Sequence, residues 1–247
     1  MDIIIFGANG RMGRIVAQEA EAGFQNARVA ARVSRSAAAD KEAGVYTTLA
    51  QFDGHADCVV DFSNHTATAE LMAYCTARSL PVVVATTGHT EQELAIIREA
   101  AEKIPVFLSA NMSVGVALLA DLAKRAAAVF PEAEIEIIER HHDQKLDVPS
   151  GTALLLARRM QEARSDAPLV IGRHENGKRT KTEIGIHSLR YGNEVGTHEI
   201  VIATGSETVT LVHKAENRSL FAQGALTAAA FLCGRAPGLY DMRDIVN

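Results

Sequence analysis

In the stretch Glu139–Ala153 the chain gathers two adjacent histidines, a lysine and a Pro-Ser-Gly-Thr turn. His141 and His142 carry imidazoles that exchange protons near neutral pH. Lys145 supplies a compact positive charge for an anion. Ser150, Gly151 and Thr152 stand just before an apolar-periodic helix expected over Ala153–Ala163. Backbone N–H groups and hydroxyls at a helix start make a cradle for a carboxylate or phosphate. A cation, a proton donor and an anion cradle this close together point to a small acidic substrate that is protonated during reaction. On residue type alone either histidine could donate. A metal site shared by His141, His142 and Asp143 is not expected, because neighbours on an extended segment point to opposite sides.

A second cluster opens the chain. Gly7-Ala8-Asn9-Gly10-Arg11-Met12-Gly13 lies between an apolar strand, Ile3–Phe6, and a helix expected from Arg11 to Ala22. A glycine-rich turn between strand and helix lets backbone approach a dinucleotide pyrophosphate, and the helix start favours its charge. The spacing is G-x-x-G-x-x-G, with Asn9 where the second glycine of the commoner pattern stands. After the next strand, Arg28–Val33, comes Ser34-Arg35-Ser36. An acidic residue there would hold the ribose 2′-hydroxyl of NAD; a basic one suits the 2′-phosphate of NADP. Arg35 together with Arg11 can pair with that phosphate. NADPH is therefore expected to serve at least as well as NADH.

These residues need elements to position them. Strands at Cys58–Phe62, Pro81–Ala85 and Val106–Ser109 alternate with helices at His65–Arg78 and Thr90–Lys103. That alternation predicts a parallel, doubly wound sheet whose ligands gather at the carboxyl ends of the strands. Gly7–Gly13, Ser34–Arg35, Ala85–Gly88 and Ser109–Met112 all fall at such ends. A helix over Val114–Phe130 begins a second domain. There Glu134–Ile138, Thr182–Tyr191, His198–Thr204 and Glu207–His213 alternate at period two, which predicts a mostly antiparallel sheet. The other histidines, His198 and His213 among them, are not expected to have surroundings comparable to those of His141 and His142. The polar run Arg173–Lys181 reads as a solvent loop or a subunit contact.

Composition narrows the function classes. The chain has 247 residues, 47% hydrophobic and 22% charged, with a formal net charge of −5. No apolar run reaches the roughly 18–20 residues that span a bilayer, so no membrane partner is expected. No basic stripe stands out, so nucleic acid is not an expected partner. The N-terminus enters a strand without a basic, cleavable leader, which predicts a cytoplasmic protein. Cys58, Cys75 and Cys233 are odd in number and scattered, and read as reduced core residues.

The segment Glu139-Arg140-His141-His142-Asp143-Gln144-Lys145-Leu146-Asp147-Val148-Pro149-Ser150-Gly151-Thr152-Ala153 resembles the signature of the 4-hydroxy-tetrahydrodipicolinate reductase (dihydrodipicolinate reductase) family, Glu-x-His-His-x-x-Lys-x-Asp-x-Pro-Ser-Gly-Thr-Ala, at every fixed position. The opening turn matches that family's Gly-x-x-Gly-Arg-Met-Gly. Ala85-Thr86-Thr87-Gly88 resembles its Gly-Thr-Thr-Gly, with Ala85 a departure. Ser109-Ala110-Asn111-Met112-Ser113-Val114-Gly115 resembles its Ala-x-Asn-Phe/Met-Ser-x-Gly. Many members have Glu-Arg at Ser34-Arg35.

The resemblance implies an α/β architecture: a Rossmann-like doubly wound domain from 1–113 and 217–247, and an α+β substrate and oligomerisation domain from 114–216. It implies NAD(P)H-dependent reduction of 4-hydroxy-tetrahydrodipicolinate on the diaminopimelate route to lysine. Gly7, Ala8, Asn9, Gly10, Arg11 and Met12 would hold the cofactor with Ser34 and Arg35. Ala85, Thr86 and Thr87 would join them, as would Ser109, Ala110, Asn111 and Met112. His141 would donate the proton with Lys145 as its partner, and His142, Gly151 and Thr152 would hold the small dicarboxylate substrate. The family is usually a homotetramer built through the second domain's sheet. A non-catalytic nucleotide sensor would keep Gly7–Gly13 but would have no use for His141 and Lys145.

Overall fold

The computed structural model describes residues 1–247, which divide into two compact units, Met1–Val114 with Arg218–Asn247, and Gly115–Asn217. In chain order the first unit contains β1 (Asp2–Phe6), α1 (Arg11–Glu21), β2 (Arg28–Val33), β3 (Val45–Tyr46), β4 (Cys58–Asp61), α2 (Thr68–Ala77), β5 (Val82–Val84), α3 (Glu91–Ala101) and β6 (Pro105–Leu108). The second unit contains most of α4 (Val114–Val129), then β7 (Glu134–His141), α5 (Gly151–Gln161), β8 (Leu169–Ile171), β9 (Ile184–Arg190), β10 (Gly196–Ala203) and β11 (Thr208–Ala215). The chain then returns to the first unit with α6 (Ser219–Leu232), β12 (Gly238–Tyr240) and α7 (Arg243–Val246).

The first sheet has seven strands in the order β12-β6-β5-β4-β1-β2-β3, with every pairing parallel. Covered on both faces, its central strands are apolar throughout rather than alternating. Ile3, Ile4, Ile5, Val82, Val83 and Val84 are all buried. α2 and α3 pack together over one face, where Leu71, Met72 and Ile97 meet Ile4, Val59 and Val82. α1 and α6 pack together on the other. The strand order reverses between β1 and β4, which opens a crevice at their carboxyl ends. Cys58 and Cys75 are free and buried as expected; Cys233 is free but exposed, because it lies past the end of α6.

The second sheet runs β11-β10-β7-β9-β8. The expectation of a mostly antiparallel sheet needs refining: β10 pairs antiparallel with β11 and β7, but β9 pairs parallel with β7 and β8. Two returns make this possible: α5 carries the chain back before β8, and the irregular segment 172–183 carries it back again before β9, as parallel neighbours require. α5 and α4 cover one face, where Leu119, Ala123, Leu156 and Met160 pack on Ile135, Ile137, Ile184, Ile186, Ile200 and Ile202. Each such Ile or Leu contributes roughly 1.5–3 kcal/mol by its burial.

Candidate active site

The stretch Glu139–Ala153 begins where the helix-covered face of the second sheet stops being apolar. β7 alternates strictly, with Ile135, Ile137, Glu139 and His141 buried on the helix side. Register places neighbours beside each. Ile135 lies between Ile184 and Ile202, and Ile137 between Ile186 and Ile200. The next rung is polar: Glu139 lies between Ser188 and His198. On the last rung His141 has Arg190 beside it on β9. Period two thus delivers two isoleucine rungs, then two rungs of ionisable side chains.

Glu139 is completely buried. Its Oε1 accepts Arg190 Nη2 at 2.7 Å and the Ser150 N–H at 3.1 Å; its Oε2 accepts Arg190 Nη1 at 2.9 Å and also His141 Nδ1. Burial alone would raise this carboxyl, but the bonds from His141, Arg190 and Ser150 outweigh it and hold the group far below the usual carboxylate range. An ionised carboxylate is acceptor-only, so His141 donates through Nδ1 and leaves Nε2 as its working end. Nε2 points at Gly196: a Cβ there would lie 2.9 Å away. Only glycine leaves the ring its space.

His198 is buried 4% exposed on the polar rung, and its ring packs edge-on to His141 at 5.2 Å between centroids. Burial pushes its pKa down to about 3, and the neighbouring His141 adds to the shift. It is therefore a neutral side chain at ordinary pH. Ser150 is the N-cap of α5 and its Oγ accepts the Ala153 N–H at 3.2 Å. The Ser150 hydroxyl also shares a hydrogen bond with His198 Nε2, 3.1 Å away. The helix start is tied to the sheet twice, through Glu139 and through His198. The expectation that His198 has no special surroundings fails here; sequence neighbours were the wrong neighbours to inspect.

The segment after His141 is pinned by backbone. The His142 N–H donates to Glu194 O at 2.7 Å, Tyr191 N–H to His141 O at 3.0 Å, and Lys145 N–H to His142 O at 3.2 Å. His142 is half-buried, with Lys145 one turn beyond. Lys145 Nζ lies 2.6 Å from Asp147 Oδ1. Against a burial effect, the Lys145 ammonium and the Gly151 backbone N–H hold the Asp147 carboxyl below its usual range. Gly151 and Thr152 are the first two residues of α5, and nothing crowds Gly151 on its open side. One anion, the protein's own, thus already answers to Lys145 and the α5 terminus.

The first unit offers a different cradle. Gly7 has φ +87°, and a Cβ there would lie 2.5 Å from Phe62 O, so both conformation and space exclude a side chain. Gly7 and Ala8 donate to Val33 O at 2.9 and 3.1 Å, which fixes the turn on β2. α1 begins at Gly10 with no side-chain cap and no acid in its first turn. Its N–H groups are left for an outside anion. α3, by contrast, closes its own start with a Thr90–Glu93 capping box. Beside the α1 start lies a cleft of about 410 Å³ lined by Arg11, Met12, Ala85, Thr86 and Thr87. Phe62, Ser63 and Asn64 complete the lining and were not anticipated. Ala85 is buried and takes its place in the wall despite its methyl group. Ser34 and Arg35 lie at the end of β2, outside that lining; Ser34 Oγ is 3.1 Å from Ser36 Oγ, which meets Asn9 Nδ2 at 3.5 Å. Ser109–Met112 follow β6, where Ser113 N–H donates to Asn111 Oδ1 at 2.9 Å. An uncapped helix start, a glycine turn and an arginine fit a dinucleotide.

A doubly wound parallel sheet with such a turn at its switch point defines the class of NAD(P)-binding α/β proteins. Family profiles narrow this: dihydrodipicolinate reductase, N-terminus, matches residues 1–112, and dihydrodipicolinate reductase, C-terminus, matches residues 115–246. A 4-hydroxy-tetrahydrodipicolinate reductase of Caldanaerobacter subterraneus subsp. tengcongensis is 42% identical over 99% of this chain and 98% of its own. One from Clostridium tetani is 39% identical over 99% of this chain and 96% of its own. Among solved structures, the dipicolinate-bound dihydrodipicolinate reductase from Paenisporosarcina sp. TG-14 superposes with a TM-score of 0.81 and 26% identity, over 99% of each chain. The chain belongs to the dihydrodipicolinate reductase family and is an oxidoreductase.

Proposed function

We propose that the chain reduces 4-hydroxy-tetrahydrodipicolinate to tetrahydrodipicolinate, with loss of water, in lysine and diaminopimelate biosynthesis. The observation that carries this reading is the final rung of the second sheet: His141, oriented by the ionised Glu139, beside an anion site made by Lys145 and the start of α5. Bound NADPH or NADH supplies the hydride. The protein's own residues supply the rest. His141 Nε2 gives the proton that neutralises the charge left on the substrate. Lys145, His142, Gly151 and Thr152 hold the substrate's carboxylates, and an incoming carboxylate replaces Asp147 on Lys145. In the first unit, Gly7–Met12 hold the pyrophosphate, while Ala85–Thr87 and Ser109–Met112 hold the nicotinamide end.

NADPH serves at least as well as NADH in this reading. Ser34, Ser36 and Asn9 form a hydroxyl-and-amide edge with Arg35 exposed beside it and no acid to repel a 2′-phosphate. The units then carry separate duties, with 1–113 and 217–247 binding nucleotide and 114–216 binding substrate. We place the protein in the cytoplasm as a homotetramer. No helix is long and apolar enough to cross a membrane, and β11 is a free sheet edge with Val212 57% exposed. Calorimetric titration with dipicolinate tests the substrate site. Binding by the natural chain, weakened at least tenfold by Lys145→Ala, is expected; no binding at millimolar ligand contradicts the dicarboxylate site.

A further inference from the structure

The polar rungs contain one charged residue with no part in proton transfer or anion binding. Arg190 ends β9, and its side chain is 16% exposed. Its guanidinium grips both oxygens of Glu139, at 2.7 and 2.9 Å. Nη2 also donates to the carbonyl of Asp147 at 2.7 Å, and Nη1 to that of Leu189 at 2.7 Å. One planar group therefore touches the carboxylate that orients His141 and the backbone of the loop that carries Lys145.

We propose that Arg190 is the positioning residue of this site, fixing the proton donor through Glu139 and the lysine loop through the Asp147 carbonyl in a single arrangement. The inference rests on the reading of His141 as proton donor. Each Glu139 oxygen is shared between Arg190 and a second donor: His141 on one, the Ser150 N–H on the other. Without the fork the carboxylate keeps one donor on each oxygen and is free to turn, and the imidazole turns with it. The Asp147 carbonyl loses its anchor at the same time. A lysine restores the charge but, as a point donor, cannot span two oxygens and a carbonyl together.

Arg190 also sets the charge that His141 meets. The ionisable groups around the imidazole are Glu139 on its own strand, Arg190 on β9 and His198 on β10, with Lys145 in the following loop and His213 on β11 further out. Glu139 and Arg190 cancel as a pair. Removing the arginine leaves a net negative neighbour, which favours the protonated imidazole; removing the carboxylate's charge leaves a net positive one, which disfavours it.

The test is the pH profile of kcat in Arg190→Lys, Arg190→Met and Glu139→Gln, with nucleotide affinity and thermal unfolding measured on each preparation. Arg190→Met should lower kcat by about 10²-fold, the order expected for an ångström-scale misplacement, and raise KM. Arg190→Lys should recover part of kcat. The alkaline limb of the profile should move up in Arg190→Met and down in Glu139→Gln, with nucleotide affinity unchanged. Opposite movements are not produced by loss of packing. If Arg190→Met fails to fold, Arg190→Lys and Glu139→Gln carry the test. Wild-type kcat, KM and profile in Arg190→Lys, or limbs moving in the same direction in Arg190→Met and Glu139→Gln, would overturn the proposal. His141→Gln serves as the control: if it keeps full turnover, the proton-donor reading itself has failed, whereas loss of turnover there with unaltered Arg190 variants rejects the Arg190 proposal alone.

Discussion

The starts of α1 and α5 are both poised for anions, on opposite terms. α1 begins bare: Gly10 supplies no cap and the first turn has no acid. α5 begins crowded. Ser150 caps it, Glu139 and His198 hold Ser150 in place, and Asp147 already lies on Lys145 and near the Gly151 N–H. In the proposed function the difference follows from what each would have to do. A pyrophosphate only has to be held, and unsatisfied backbone N–H groups hold it at no reorganisation cost. A reacting acid must meet a proton donor whose orientation and charge are set beforehand, which takes paired, buried side chains. The first site is made of backbone conformation, the second of sheet register.

That contrast breaks most sharply at His141. His141→Gln should lower kcat by about 10²–10⁴-fold, the usual worth of general acid help, while fluorescence titration finds nucleotide affinity unchanged. Gly196→Ala tests the same half through space alone: its methyl would stand 2.9 Å from His141 Nε2. Displacing the ring should reduce kcat by roughly 10²-fold with the melting profile little altered; unchanged turnover would show the ring has room elsewhere. Gly7→Ala is the counterpart in the first unit. Positive φ and the Phe62 carbonyl oppose it, so stability should fall by about 1–3 kcal/mol and nucleotide affinity at least tenfold, as read by chemical unfolding and by titration.

Acid should separate the halves more gently. His198 has a folded pKa of about 3, below its value of about 6.5 in an unfolded chain. Above pH 6.5 neither state carries the proton, so the group contributes no slope. As pH falls from 6.5 toward 3 the unfolded chain takes up a proton that the native state refuses, and stability drops by about 1.4 kcal/mol per unit. Glu139, whose folded pKa is depressed, contributes above about pH 4.5 and loses that contribution at lower pH. His198→Asn should flatten the upper part of this decline in urea-unfolding series; an unchanged slope would mean the histidine is protonated in the native state. The smallest effect is expected at Asp147. Removing the resident charge with Asp147→Asn should lower substrate KM several-fold, and a raised KM would make Asp147 a support for Lys145 rather than a competitor.

Legibility in the sequence follows the same division. Strand–turn–helix order, the glycine turn and the strand ends at Ser34, Ala85 and Ser109 stand in the chain much as they stand in the first sheet, because a parallel doubly wound sheet gathers its strand ends at one edge. In the second unit the local run from Glu139 to Thr152 was readable, while its partners were not. Arg190 and His198 reach Glu139 only through pairing across β9 and β10. The parallel pairing of β9 was missed because alternation reports which face a residue occupies and says nothing of strand direction. A usable sign was present nonetheless: Ile184, Ile186, Ser188 and Arg190 share one parity, as do Ile202, Ile200 and His198. A charged or ionisable residue continuing an apolar face marks the rung where packing gives way to chemistry. Phe62–Asn64 escaped notice for a simpler reason, since the end of β4 carries no glycine motif and enters the cleft only because β4 neighbours β1.

The most direct measurement is oxidation of NADPH and of NADH by the natural chain, with the substrate formed in the cuvette from pyruvate and aspartate semialdehyde. Rapid oxidation that needs both precursors, at least as fast with NADPH, is the predicted result. Nucleotide that binds yet stays reduced when the cyclised substrate is present would contradict the assignment of the second unit's last rung to proton transfer.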